Sequence, residues 1–331
     1  MAEGAAERQS ASSYPGLDVV KFLMALLVVE IHTNPLFVGG PGLMTDIIRG
    51  VDCLAVPFFF IVSGFLRFRK VRLNELCSWD SLSSIRVRGT IFRQLRMYLA
   101  WTVLYLPITV WADVAAGNSP LKSILLFVRG TFLIGENQFS WPLWYLLASV
   151  VAFTLIFCLL QSGISPVRVL FISVVMLFAG FGLGLLRDWN SVPPALAAPV
   201  GLYFKVFGNV RNGLFEGFFY VAMGTVLGIW EQNLLRIPIW VPIVGMAVAL
   251  AGCIFITYDA HLPFCMILGF SVFLLCTRRQ SPGSPVQSFM RSASIVMYLV
   301  HMMFAVIFAY GICGLRAECW CKEKFELRAG I

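Results

Sequence analysis

GLDVVKFLMALLVVEIHT, residues 16–33, decides the fold. It is apolar enough to cross a bilayer, yet it carries Asp18, Lys21, Glu30 and His32. Ionisable groups inside hydrocarbon are costly enough that functional use is the default hypothesis. At about 100° per residue, the step from Lys21 to His32 returns to within about 20° of the same face, and Asp18 lies roughly 40° from His32. Asp18, Lys21, Ala25, Val28 and His32 therefore form one stripe, which runs lengthwise for roughly 20 Å. A charged pair stands at one end and an imidazole at the other, while Glu30 points to another side.

The rest of the chain has the same character. Of 331 residues, 59% are hydrophobic and only 13% charged, and the mean hydropathy is +0.83. A soluble domain would be about 45–50% apolar and about 25% charged, so the composition predicts an all-α, polytopic membrane helical bundle. Apolar residues come in runs of about 20 rather than in alternation, which excludes a β-barrel. The net charge of +8 raises the question of nucleic acid. Most basic residues, however, sit in short loops between apolar runs, as topology selection requires, so the expected partner is the lipid bilayer and not nucleic acid. The nine cysteines are scattered, mostly within apolar segments. They read as small buried hydrophobes. Cys319 and Cys321 form a C-x-C without the second pair that a zinc site needs, so no metal is expected.

Nine runs are expected to span: 17–37, 47–66, 90–111, 141–161, 166–186, 212–230, 237–257, 262–277 and 294–315. Residues 119–134, with Arg129, read as an amphipathic helix in the interface, and 193–208 as re-entrant or interfacial. Between residues 67 and 96, eight Lys and Arg residues face only Glu75 and Asp80, which places that segment in the cytoplasm. Asp18 and Lys21 then lie at the cytoplasmic end of span 1 and His32 near its outer end. Residues 1–15 are polar and lack the order of a signal peptide, so they read as a disordered cytoplasmic tail. One membrane domain is expected over 16–315, with an atypical tail at 316–331.

Several residues are candidates for chemistry. An imidazole titrates near neutrality and can take a proton from a hydroxyl, which makes His32 a candidate general base; the alternative is a histidine hydrogen-bonded at a helix end. Asp18 and Lys21 either support it or form an i,i+3 pair anchoring the helix start. Span 2 carries Asp46, Arg49 and Asp52 at its start, then Pro57, which is expected to free a mid-membrane carbonyl, and the small pair Ser63 and Gly64. Arg86, Arg88, Arg93 and Arg96 precede and open span 3, where guanidinium forks can hold phosphate or anchor to anionic lipid. WPLWYLLA, residues 141–148, opens span 4 with Trp144 and Tyr145. Glu216 is expected inside span 6 and needs a partner there. Tyr298 and His301, three apart in span 9, share a face.

In this order the motifs resemble one family. G-L-D-x-x-K-F and V-x-E-I-H-T-N-P in span 1, A-V-P-F-F-F-I-V-S-G-F-L in span 2, the arginines before span 3, L-W-Y-L, R-N-G-L-F-E-G-F and Y-L-V-H together are similar to the acyltransferase 3 family of integral membrane O-acyltransferases. Within it, the chain is most similar to the membrane part of vancomycin-resistance-type serine racemases. The resemblance covers residues 16–301 and implies about ten helices around a passage. Through that passage an acyl group from cytosolic acyl-CoA reaches a hydroxyl on an extracytoplasmic glycan. It further implies His32 as the base at the acceptor end, Lys21 as the first helix's basic residue at the donor end, and Arg88, Arg93 and Arg96 as the acyl-CoA-binding group. The sequence departs from the family at Lys21, where arginine is usual, and at Pro57, where aspartate is common. RAECWCKEKFELRAGI also stands where a last apolar helix is expected, which suggests a truncated or altered end and, as a third reading, an inactive remnant.

The expected activity is transfer of an acyl group, acetyl foremost, from acyl-CoA to a glycan or related hydroxyl acceptor, with no bound cofactor. The alternative is a carrier of a small amino acid such as serine. Localisation follows as a bacterial cytoplasmic membrane with the N-terminus inside. Trp144, Tyr145, Glu216, Tyr298 and His301 are expected to line an acceptor cavity with His32.

Overall fold

The computed structural model describes residues 14–33, 51–188, 193–234, 236–255, 262–281 and 284–312. Among them the regular elements are helical, with no strand. In chain order they are α1 (Pro15–Thr33), α2 (Ala55–Phe68), α3 (Leu82–Ala115), α4 (Pro120–Arg129), α5 (Trp144–Gln161) and α6 (Pro166–Asp188). Then follow α7 (Pro194–Phe207), α8 (Glu216–Ile229), α9 (Glu231–Leu234), α10 (Trp240–Phe255), α11 (Leu262–Cys276) and α12 (Pro285–Val306). The chain forms two compact units, one from residues 1–62 and 230–298, the other from 63–229 and 299–331.

In the first unit α1 packs on α11, and α11 on α10. In the second, α5 and α6 pack on α8, and α3 on α5. Close approach there requires glycine: a Cβ on Gly64 would stand 2.4 Å from the Val221 carbonyl, and one on Gly228 would stand 2.7 Å from that of Phe65. Small residues let two helix backbones touch in this way, which is how helices associate where lipid removes the hydrophobic drive. Phe68 stacks on Phe153 with centroids 6.2 Å apart. The hydroxyls of Tyr98 and Tyr105 donate to the carbonyls of Thr131 (2.6 Å) and Leu299 (2.8 Å).

Among the described residues, four helical stretches are long and apolar enough to cross a membrane: Leu82–Ala115, Trp141–Gln161, Pro166–Arg187 and Pro285–Tyr310. Five more apolar helices have 10–17 residues. Helix α1 has 19 residues and three charged side chains among them. Outward residues such as Val103, Phe171, Val248 and Phe304 are apolar and exposed, the surface that lipid would cover.

The structure redraws several boundaries. The span expected at 90–111 belongs to a 34-residue helix opened by Ser81, whose hydroxyl accepts the Ser84 amide at 3.1 Å. At 1.5 Å per residue α3 is about 51 Å long, well beyond the roughly 30 Å hydrocarbon core. The arginines read as lying before and at the start of span 3 are thus all on one helix. Pro57 stands in the first turn of α2, where its missing N–H would have no helical acceptor. Glu216 opens α8 instead of lying within it, because Asn212 Oδ1 accepts the Leu214 and Phe215 amides and sets the start there. Residues 194–207 form a continuous helix. Tyr14 is buried, with its hydroxyl donating to Glu231 and accepting from Gln280 at 2.6 Å. Residues 1–13, Asp46, Arg49 and the 316–331 tail lie outside the described residues.

Candidate functional site

Pro15 opens α1 with φ already suited to a helix, and Asp18 sits in the first turn, where the helix dipole favours a carboxylate. The stripe read from the sequence faces inward: Asp18 is 4% exposed, Ala25 0% and Val28 2%. Lys21 Nζ lies 2.8 Å from Asp18 Oδ1. Arg291 of α12 completes the grip, its Nε donating to Oδ1 at 3.1 Å and its Nη2 to Oδ2 at 2.6 Å. Such a two-pronged guanidinium contact is among the stronger ion pairs. One buried carboxylate thus holds two cations. His32, three turns further along, is half-buried.

Glu30 is buried as well, at 7% exposure, although it lies off the stripe. Its charge bears on Asp52, whose Oδ1 is buried without a hydrogen-bond partner. Tyr298, also in the first unit, is 6% exposed and meets Phe59 edge-on at 5.7 Å.

The second unit holds the other expected residues. On α3, Arg86 and Arg93 fall within about 20° of each other, Arg96 about 60° further round, and Arg88 on the far side. Arg88 also makes local contacts. Its guanidinium lies 3.9 Å over the Trp79 ring, and its Nη2 donates to the Trp79 carbonyl at 2.9 Å. Arg93 and Arg96 are exposed. Arg67, at the end of α2, feels the charges of Arg93 and Arg86 and keeps its Nε buried without a hydrogen-bond partner. Arg67 thus lies within reach of the charges of Arg86 and Arg93. Ahead of Arg86, Ser83 donates to Glu75 at 2.6 Å and accepts from the Arg72 amide at 3.1 Å, which pins the start of α3.

Tyr145 and Ser63 share a hydroxyl hydrogen bond of 2.9 Å, so Ser63 does more than permit packing. Trp144 and Tyr145 are half-buried in the first turn of α5. Glu216 lies near Arg211 in charge and between Gly213 and Gly217, and a Cβ on Gly213 would stand 2.6 Å from the Ala148 carbonyl. The α8 start is thereby held against α5 one turn from Tyr145. His301 is 7% exposed on α12.

Arg291, Asp52 and Ser63 were not among the residues singled out for a role from the sequence. Arg291 gave no local signal, since its partner lies 273 positions away. Asp52 was visible only as one acid in a charged helix start.

The acyltransferase domain family profile matches residues 14–317. Two amino-acid racemases of Enterococcus faecalis are similar. One is 29% identical over 217 residues, 64% of this chain and 28% of the relative. The other is 25% identical over 303 residues, 88% of this chain and 41% of the relative. A serine/alanine racemase of Enterococcus gallinarum is 26% identical over 216 residues, 64% of this chain and 29% of the relative. The chain therefore spans less than half the length of these relatives. No solved structure matches. With the family profile covering nearly every described residue, from α1 through the end of α12, the chain belongs to the acyltransferase 3 family.

Proposed function

We propose that this acyltransferase moves an acyl group, acetyl foremost, from cytosolic acyl-CoA to a hydroxyl of an extracytoplasmic glycan or related acceptor. His32 takes the acceptor's proton as the oxygen attacks the thioester carbonyl. The carbon–sulfur bond then breaks, the coenzyme A thiolate leaves and takes up a proton, and an ester remains. Arg88, Arg93 and Arg96, with Arg67 and Arg86 beside them, neutralise the donor's phosphates. Trp144, Tyr145, Glu216, Tyr298 and His301 serve the acceptor side. The protein sits in a bacterial cytoplasmic membrane with Asp18 and Lys21 toward the cytoplasm.

The inward-facing stripe of α1 carries this reading. Its carboxylate is already engaged by Lys21 and Arg291, which gives Asp18 a structural role and leaves the imidazole of His32 as the candidate base on that face. The test incubates purified protein with radiolabelled acetyl-CoA and candidate glycans. His32→Ala is expected to lose about 10²–10⁴-fold in transfer, the usual worth of a general base, and undiminished transfer would remove His32 from that role.

The racemase names of the relatives support a second reading, a carrier delivering a small amino acid such as serine. Serine uptake into proteoliposomes without acetyl-CoA would favour it over acyl transfer.

A further inference from the structure

Acyl transfer leaves one constellation of the first unit unused. Cys53 lies just before α2, Cys253 near the end of α10 and Cys265 in the first turn of α11. Their three sulfurs all fall within 4.8 Å of one another. Cys53 Sγ and Cys253 Sγ are 3.8 Å apart. Cys253 and Cys265 are 7% and 4% exposed, Cys53 is half-buried, and none of the three is in a disulfide.

Burying thiols as small apolar groups does not require three of them, from three segments, to aim their sulfurs at one point. Coordination does. Two thiolates on one tetrahedral ion, with bonds of about 2.3 Å, stand about 3.8 Å apart, which is the Cys53–Cys253 separation. Closed-shell ions with a preference for sulfur suit such a donor set.

Charge at the cluster points the same way. Asp52, next in sequence to Cys53, has a buried Oδ1 without a hydrogen-bond partner. A cation beside this carboxylate would supply the partner it lacks. Cys265 also sits in the first turn of α11.

We propose that Cys53, Cys253 and Cys265 form a binding site for one thiophilic d10 cation, copper(I) or zinc(II). Each coordinating thiol gives up its proton, and the metal keeps its oxidation state. Copper(I) is satisfied by the three sulfurs, whereas zinc(II) takes a fourth, oxygen ligand, for which Asp52 is the neighbouring carboxylate.

The test titrates the full chain, purified in detergent under reducing conditions, with copper(I) against bicinchoninate and separately with zinc(II) against a chromophoric chelator. One equivalent of either ion should outcompete the chelator. That equivalent should be lost in Cys53→Ser, Cys253→Ser and Cys265→Ser and kept in Cys77→Ser and Cys158→Ser. Copper(I) binding that survives Asp52→Asn identifies the three-sulfur site; zinc(II) binding lost in Asp52→Asn identifies the four-ligand site. Absence of stoichiometric binding of both ions, or binding that survives the three cysteine substitutions, overturns the proposal. Where a variant does not fold, the wild type still decides: bound metal should slow maleimide labelling of these three cysteines and leave Cys77 unchanged. Equal labelling with and without metal overturns the proposal.

Discussion

Arg291 grips both carboxylate oxygens of Asp18 across 273 residues of chain, at 3.1 and 2.6 Å, while Lys21 holds Oδ1 from within the same helix at 2.8 Å. Asp18→Asn would leave two cations facing each other beside α1. Breaking a buried ion pair costs about 3–5 kcal/mol. Because the Arg291 side chain is 49% exposed, solvent screens part of that, and a loss of about 2–3 kcal/mol is expected. It should appear as a lower thermal midpoint in detergent. Arg291→Lys keeps the charge without the fork and should lose less. An unchanged midpoint for Asp18→Asn would mean that the triad contributes nothing to stability.

Gly64→Ala should destabilise the protein by about 1–3 kcal/mol, the usual cost of overpacking. Its Cβ would stand 2.4 Å from the Val221 carbonyl, a backbone atom that cannot turn aside. Gly89→Ala is the control on an exposed helix face with nothing within 4 Å. It should stabilise by up to about 1 kcal/mol through helix propensity. Paired melting curves check both signs.

Arg93 and Arg88 should separate under the proposed donor role. Arg93→Gln removes an exposed guanidinium and should raise KM for acyl-CoA about 10-fold or more, as loss of a charged hydrogen bond of about 1.5–3 kcal/mol implies, with the melting midpoint unchanged. Arg88→Gln removes the Trp79 stacking and carbonyl contacts, so its midpoint should fall as well, by about 1 kcal/mol of stability. Equal midpoints for the two variants would deny Arg88 its structural role.

Glu75, in the segment between α2 and α3, is held below the ordinary carboxylate range chiefly by the Ser83 hydroxyl, and next by the charge of Arg72. A depressed folded pKa gives stability that is present above the unfolded value of 4.5 and lost as pH falls through the folded value. The wild type should therefore melt above Glu75→Gln at neutral pH, and the two curves should converge in acid. A gap that persists in acid, once the carboxyl is protonated in both the folded and unfolded chain, would assign the difference to shape instead of charge.

Much of the fold was legible because lipid imposes strong local rules. Apolar runs, short basic loops and punctuating prolines depend only on neighbours in the chain, so the all-helical class and most helix positions followed from them. The shared stripe of α1 followed too, since periodicity alone decides which residues share a face. Boundaries were less legible where a cap made the decision: Ser81 lengthened α3 toward its start, and Asn212 delayed α8 until Glu216.

The site was legible in part, and the division follows sequence distance. Asp18 with Lys21 was visible because the pair is three residues apart on one helix. Arg291 was not, because the fork it offers Asp18 depends on where α12 packs. Cys53, Cys253 and Cys265 looked like apolar filler for the same reason: each sits in its own segment without a metal-binding spacing. The sequence by itself determined the helical class, the single stripe of α1 and the charge of the α3 start. Only the tertiary structure decided which cations neutralise Asp18, which arginines stand together and where three sulfurs meet, because these depend on the packing of helices distant in the chain.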